Sequence, residues 1–363
     1  MQYTITIRLA GCATRCWHCY VDGGPCEDMT STEYHRALDL LEPVFQGLQA
    51  DGTTDSTDLY LGMEPLMHPE VAELIPETKE RFGDVFDIEG MPMPTSGYPL
   101  SARGDWREVL DAVKGVGCRE MMLTLHGPTD LQDRAQGRDG MLEHHRRAVG
   151  RLHEQGFSTA LNLMVSRDML HRLDETLEII HEMGYDSTNV RIPDFTPIPR
   201  MRRFEDHRAT LADITGTLDE IRALASHDRE YWNAPEMHTE EFVFNDVMSH
   251  PDRFDSFREI EDSLPRWMFL TVVPRLDLVY GNEGIHHHTI GNLVNDSTDV
   301  ILGRIRTLPA NYQFGMFFDV DALPSPAEIA ESVADPNSQR LYRTTEDVLL
   351  LWADRFVNRS AWR

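Results

Sequence analysis

Two hydrophobic periods alternate along this chain, and each switch between them marks an element boundary. Tyr3 to Leu9 reads as a strand, and Thr30-Ser31-Thr32-Glu33 ahead of Tyr34, Leu38, Leu41 and Val44 predicts a capped helix to about Phe45. The unit then recurs. A strand Asp58–Leu61 precedes a helix Val71–Phe82. Val85–Ile88 leads to the turn Pro94-Thr95-Ser96-Gly97, followed by a helix on Trp106, Val109, Leu110 and Val113 that Gly115 and Gly117 stop. Glu120–Gly127, a long helix Met141–Gln155, Ser158–Ser166, a helix Leu170–Met183 and Thr188–Pro193 complete six alternations. Such crossovers imply parallel strands with ligands gathered at their C-terminal ends, so the expected fold is α/β, a partial (β/α)6 TIM-like barrel over residues 1–200.

From Phe195 the pattern changes. Pro197, Pro199, Arg200, Arg202 and Arg203 read as a basic loop, a helix is expected from about His207 to Ser226, and an irregular stretch reaches Pro265. Trp267–Pro274 and Leu278–Gly281 then predict a β-hairpin, followed by Ile290–Leu293, a short helix near Asp299–Ile305 and an amphipathic C-terminal helix Asp347–Phe356 capping the barrel. Residues 201–363 are therefore expected to form a small α+β extension.

Composition narrows the functional classes. With 363 residues, 41% of them hydrophobic, the chain can bury one large core, or a large one and a smaller one. Its formal charge of −27 repels a phosphate backbone, which argues against nucleic acid as a partner. No run of about 18 apolar residues occurs and the N-terminus lacks signal-peptide character, so a cytoplasmic protein without membrane contact is expected. Five cysteines, three of them clustered, do not make a disulfide framework.

The clustered three are Cys12, Cys16 and Cys19, spaced C-x3-C-x2-C in the loop after the first strand. Three thiolates can ligate three irons of a 4Fe-4S cluster and leave the fourth open to a ligand. They could also hold zinc with a histidine such as His18. With an aromatic ring (His18) before the third cysteine, the motif resembles the radical S-adenosylmethionine (SAM) superfamily.

That resemblance implies one 4Fe-4S cluster on Cys12, Cys16 and Cys19, with SAM chelating the open iron. The segment Gly62-Met63-Glu64-Pro65 resembles the family's Gly-Gly-Glu-Pro, which holds the SAM ammonium. Met63 stands for the second glycine, a mild departure because a backbone carbonyl needs no particular side chain. Ser96 falls in the family's Thr-Asn-Gly turn, and Thr124 in its Ser-Leu-Asp-Gly segment, where His126 replaces an acid. Gln136 occupies the place of a usual Arg, for which Arg134 would substitute. Asn162, Ser166 and Arg191, at strand ends, are expected near the SAM carboxylate, ribose or adenine, although each is equally suited to capping. The implied activity is reductive cleavage of SAM, fed by a donor such as flavodoxin or ferredoxin, and hydrogen abstraction by a 5′-deoxyadenosyl radical.

The order of C-terminal elements resembles the SPASM and twitch subfamily without its auxiliary-cluster cysteines, since none follows Cys118. A redox-neutral outcome is favoured, although epimerisation, rearrangement, elimination and dehydrogenation all stay open. The first strand starts so near Met1 that no leader-binding domain is expected before it, which favours a small-molecule substrate over a ribosomal peptide. A peptide maturase of the same superfamily and a non-catalytic iron-sulfur or zinc protein are the alternatives. Cys26, seven residues past the cluster motif, is the candidate hydrogen donor, and Cys118 reads as core filler. Consecutive His286, His287 and His288 make a poor metal site.

Overall fold

In the computed structural model of the chain all residues are described except 20, 22, 53, 87–91, 228–229, 282–287, 309–313 and 363. The strand β1 (Gln2–Ala10) is largely buried because it has a neighbour on each edge. It pairs in parallel with β2 (Ser56–Met63) and with β7 (Trp267–Val273), so that Ile5 lies opposite both Leu59 and Leu270. β7 turns back into antiparallel β8 (Asp277–Tyr280), and β9 (His288–Asn292) completes a sheet of order β2-β1-β7-β8-β9. The second sheet is wholly parallel and runs β3 (Met93–Thr95), β4 (Glu120–Leu125), β5 (Ser158–Met164), β6 (Ser187–Arg191). Among the described residues no ladder joins β2 to β3. The six expected parallel strands therefore form two arcs of an open barrel. The hairpin expected near the C-terminus is present, and its first strand extends the barrel sheet on the far side of β1.

The crossover helices follow the sequence pattern closely. α1 (Ser31–Gln49) starts at the capping box of Thr30 and Glu33 and buries Tyr34, Leu38, Leu41 and Val44. It continues past Phe45 and through Pro43, because Phe45 and Leu48 are also buried against the core. α2 spans Val71–Phe82 as predicted. The strand expected at Val85–Ile88 is replaced by a 3-10 turn at Gly83–Val85, and positions 87 and 88 lie outside the described residues. α3 (Tyr98–Ala102), α4 (Trp106–Gly115), α5 (Thr129–Gln136) and α6 (Met141–Glu154) follow, then a capped turn α7 (Arg167–Leu170) set off from α8 (Leu173–Met183).

Beyond β6 the chain is more helical than its polarity suggests. The basic segment is a helix, α9 (Pro199–Phe204), with Pro199 in its first turn, where a missing N–H costs nothing. The single helix expected over His207–Ser226 is two, α10 (Leu211–Ile214) and α11 (Leu218–Leu224), parted by Thr215, Gly216 and Thr217, which are poor helix formers. α12 (Glu240–Ser249) and α13 (Phe257–Ser263) occupy the stretch expected to be irregular. α14 (Thr298–Ile305) and α15 (Pro326–Val333) lead to α16 (Thr345–Val357), which is buried continuously from Asp347 to Asp354 and so is a core helix. Its acids are satisfied: both oxygens of Asp354 accept from Arg202, at 2.6 and 2.7 Å.

One hydrophobic cluster joins β1, α1, β7 and α16, and a second gathers Leu125, Leu161, Leu163, Val190 and Trp232 around β4–β6. Trp17, in the cysteine loop, packs against both.

Candidate functional site

The loop after β1 is held from four sides. Gly11 N donates to Asp28 Oδ1 at 3.0 Å and Cys12 N to the Gly24 carbonyl at 3.0 Å, which folds residues 11–28 back on themselves. The end of α5 accepts from the middle of the loop, Gln136 O from Arg15 N and Ala135 O from Trp17 N, each at 2.8 Å. Arg138 donates to the Ala13 carbonyl at 3.4 Å. Arg200, on α9, donates to the carbonyls of Gly23 (2.6 Å) and Cys16 (3.3 Å). Arg134, expected to stand in for the family's arginine, is exposed and faces Asp130 at 3.8 Å. Among the described residues the guanidinium groups that donate to carbonyls of the cysteine loop are those of Arg138 and Arg200.

Within the loop two of the sulfurs share one cradle. Gly23 N donates to Cys19 Sγ at 3.1 Å, and a Cβ on Gly23 would stand 3.2 Å from Cys19 Sγ, 3.5 Å from Cys12 Sγ and 3.6 Å from Met63 Cε. The third sulfur, Cys16 Sγ, groups with the imidazoles of His18 and His126, their ligand atoms all within 4.8 Å. Burial pushes the Cys16 thiol up to about 12, with Cys19 adding to the effect. Burial also lowers His18 to about 4 and drives His126 well below its ordinary value. The two rings lie 4.5 Å apart, and His18 Nδ1 and His126 Nε2 are buried without partners. Buried thiols and neutral imidazoles facing one another are a donor set that a metal centre would satisfy.

The end of β2 supplies the second part. Met63 has φ 59°, the left-handed region that glycine enters freely and other residues enter at a cost of about 1–2 kcal/mol. Its replacement of glycine is therefore strained, contrary to the mild departure expected. The strained turn presents Glu64, 2% exposed, to the end of β3. Its carboxylate accepts from Ser96 N at 2.6 Å and Thr95 Oγ1 at 3.0 Å, bridging the seam between the two sheets. Burial raises the Glu64 pKa, and these hydrogen bonds oppose the shift. Among the described residues no cationic side chain pairs with it. A buried carboxylate in that position is a receptor for a cation.

Across the second sheet, Thr124, Asn162 and Asn189 are register partners in one row, and Asn189 Nδ2 donates to Asn162 Oδ1 at 3.4 Å. Gln132 clamps the end of β4, accepting from His126 N (2.7 Å) and donating to Thr124 O (3.2 Å). Ser166 Oγ accepts from Met169 N at 3.2 Å, and the cap on α7 accounts for that hydroxyl without a ligand. Arg191 ends β6 with Asp194 at 3.2 Å, and Arg343 meets the same carboxylate at 3.0 Å. These two arginines line a cavity of about 780 Å³ with Glu230, Tyr231 and His238. Cys26 is exposed, its Sγ 4.0 Å from Met63 Sδ. Cys118 is buried, as expected of core filler, and donates to Glu120 O at 3.3 Å. Of the three histidines, 286 and 287 lie outside the described residues and His288 opens β9.

Sequence reasoning missed Arg138, Arg200, Gln132 and Asn189. Arg138, Arg200 and Asn189 act through partners distant in the chain, so only the fold brings them to the site, whereas Gln132 acts on the strand end just before its own helix.

Residues 6–180 match the family model described as the Radical SAM superfamily. Among solved structures the fold is similar to native anSMEcpe with bound AdoMet, at 13% identity and TM-score 0.51 over 99% of each chain. It is similar to the same protein with AdoMet and the Kp18Cys peptide, at 12% identity and TM-score 0.51, again over 99% of each chain. Streptococcus suis SuiB bound to its precursor peptide SuiA matches at 11% identity and TM-score 0.49, over 94% of this chain and 75% of that one. At such identities the likeness is one of fold. A search of curated proteins gave no match. A cysteine trio suited to a 4Fe-4S cluster at the end of β1, an open parallel barrel around it and the family match together make residues 6–180 a radical SAM superfamily domain, in an enzyme using that cluster and SAM.

Proposed function

We propose that Cys12, Cys16 and Cys19 each ligate one iron of a single 4Fe-4S cluster, that Glu64 receives the SAM ammonium, and that the substrate is a small biosynthetic molecule. When bound, the cluster and SAM supply hydrogen-atom abstraction from an unactivated C–H bond. The observation that carries the reading is Glu64, a buried carboxylate without a cationic partner among the described residues, one strand away from the three cysteines. An ammonium placed there removes the burial penalty and takes a charge-assisted hydrogen bond.

The chain's own groups position and exclude. Gly23 N–H steadies the Cys19 sulfur, Arg200 and Arg138 fix the loop, and Gly62 and Met63, which end β2 ahead of Glu64 and Pro65, would offer backbone carbonyls to the same ammonium. Ser96, Thr124 and Asn162 offer polar groups at the ends of β3, β4 and β5, where ribose or adenine would lie. The cavity beside Arg191 has the volume of a small-ligand site, and its paired arginines suit a carboxylate on SAM or substrate. What burial Cys26 has pushes its thiol up, so it keeps its proton at neutral pH and can return a hydrogen atom to the substrate.

Anaerobically reconstituted protein given SAM and dithionite should form 5′-deoxyadenosine, read by mass spectrometry. Cluster-loaded protein that leaves SAM intact overturns the reading. With substrate, Cys26→Ala should still consume SAM while losing incorporation of solvent deuterium into product.

A further inference from the structure

We propose that the basic depression formed by Arg15, Arg200 and Arg203 beside the cysteine loop is the docking surface for an acidic electron-carrier protein. The inference rests on the reading of Cys12, Cys16 and Cys19 as cluster ligands.

The depression, about 350 Å³, is lined by Arg15, Trp17, Arg200, Arg203, Phe204 and His207. Arg15 lies in the cysteine loop itself and Arg203 on α9; both are exposed. Neither has a carboxylate within ion-pair distance among the described residues. Elsewhere on the surface Arg81, Arg107, Arg146, Arg172, Arg258 and Arg306 each meet an acid. Other exposed arginines, such as Arg119 and Arg266, also lack such an acid among the described residues, but here two of them flank Arg200 in one depression, a basic spot complementary to an acidic partner on a chain of charge −27. Two acids on neighbouring segments are committed, Glu205 to Arg208 at 2.6 Å and Asp168 to His207 at 3.0 Å, while Asp206 is exposed and is not among the lining residues.

The position suits electron entry. Arg200 spans from the depression to the Cys16 and Gly23 carbonyls. Trp17, bonded to Cys16, forms the floor and stacks on His207 at 4.3 Å. A carrier seated here would be one short covalent path from a cluster-bearing sulfur, and one electron would pass from its reduced flavin to the cluster, leaving that flavin oxidised by one electron. Two acidic proteins repel over most of their surfaces. At physiological ionic strength the Debye length is about 8 Å, so distant repulsion fades while contact pairs at the patch survive.

The test uses reconstituted enzyme and a reduced acidic flavodoxin, reading the rate of cluster bleaching and, by calorimetry, the dissociation constant. Arg15→Glu with Arg203→Glu should lower the flavodoxin-driven rate at least about tenfold and weaken binding in parallel, with the dithionite-driven rate unchanged. Added salt should slow the wild type but speed the variant, in which only repulsion is left. Arg15→Gln and Arg203→Gln singly should take smaller steps in the same direction, and Arg107→Glu on α4 should do nothing. An unchanged flavodoxin rate overturns the proposal, as does an equal loss with dithionite, which would place the effect on the cluster. Saturable binding of pyrophosphate abolished by the double variant, with flavodoxin reduction intact, would assign the patch to a small anion instead and overturn it too.

Discussion

The two neighbours of β1 begin alike and end differently. β2 and β7 pair with it in parallel from the same residue, Gln2 facing Ser56 on one side and Trp267 on the other. Each gives way to non-glycine residues at positive φ, Met63 at 59° as the last residue of one and Arg275 and Leu276 at 70° and 65° just beyond the other. After β7 the strain closes a tight return into β8, and Arg275 N donates to the half-buried Glu33 carboxylate at 3.0 Å. After β2 the strain delivers Glu64 into the interior. Hydrogen bonds from Thr30 and Arg275 lower the Glu33 pKa, whereas burial raises that of Glu64. Strain alone therefore does not mark a functional site. Strain that buries a charge without supplying its counterion does.

The comparison breaks most directly at the cysteines, whose cradle the Met63 side chain approaches. Replacing Cys12, Cys16 or Cys19 by Ala should take iron from about four per chain to near zero and abolish 5′-deoxyadenosine formation. Cys118→Ala should leave both in place, because its thiol is packed behind β4. Iron retained in Cys16→Ala would show that the His18 and His126 imidazoles can replace a thiolate.

The two glutamates give the next contrast. Glu64→Gln should weaken SAM binding by one to two decades, since a charge-assisted hydrogen bond contributes about 1.5–3 kcal/mol, with the cluster spectrum intact. Glu33→Gln should leave SAM affinity alone. Their pH signatures in the ligand-free protein are opposite. Glu33 is depressed, so its stabilisation is present above its unfolded pKa and lost as pH falls through the folded value. Glu64 is raised, so its contribution is fully present below the unfolded pKa and lost as pH rises through the folded value. Thermal midpoints measured between pH 3 and 8 should therefore show Glu33→Gln costing most near neutrality, and Glu64→Gln at its most favourable there. Parallel pH slopes for the two variants would erase the distinction.

Local chemistry was the part of this molecule open to reading from residues. The capping box at Thr30 and Glu33, the helix Val71–Phe82 and the cysteine spacing all announce themselves within a few positions. Non-local pairing left no such trace. Nothing near Trp267 indicates that its strand joins β1 rather than forming a separate hairpin, and nothing near Arg200 indicates that its guanidinium closes the loop of Cys16. α16 looked amphipathic because Asp347 and Asp354 are polar, yet both are buried. Asp354 binds Arg202, and Asp347 accepts from the backbone of Phe195 and Thr344. Burial raises the Asp347 pKa to about 7, so a strong shift by itself does not locate the site either.

The smallest effect separates the two strained turns. Glycine at either position relieves the left-handed backbone, but it also gives up chain entropy in the unfolded state, so the net gain should be about 0.5–1 kcal/mol. Arg275→Gly gives up an exposed contact with Glu27 at 3.7 Å and a charge near Glu33, both worth little in water, and should show that gain as a higher thermal midpoint with iron content and SAM affinity unchanged. Met63→Gly relieves the same strain but also removes a side chain whose Cε approaches the Gly23 cradle and whose Sδ lies 4.0 Å from Cys26. Its gain in midpoint should be smaller, and SAM affinity or the cluster spectrum should move. If both variants only stabilise, the Met63 side chain is filler, and the turn after β2 differs from the turn after β7 in its glutamate alone.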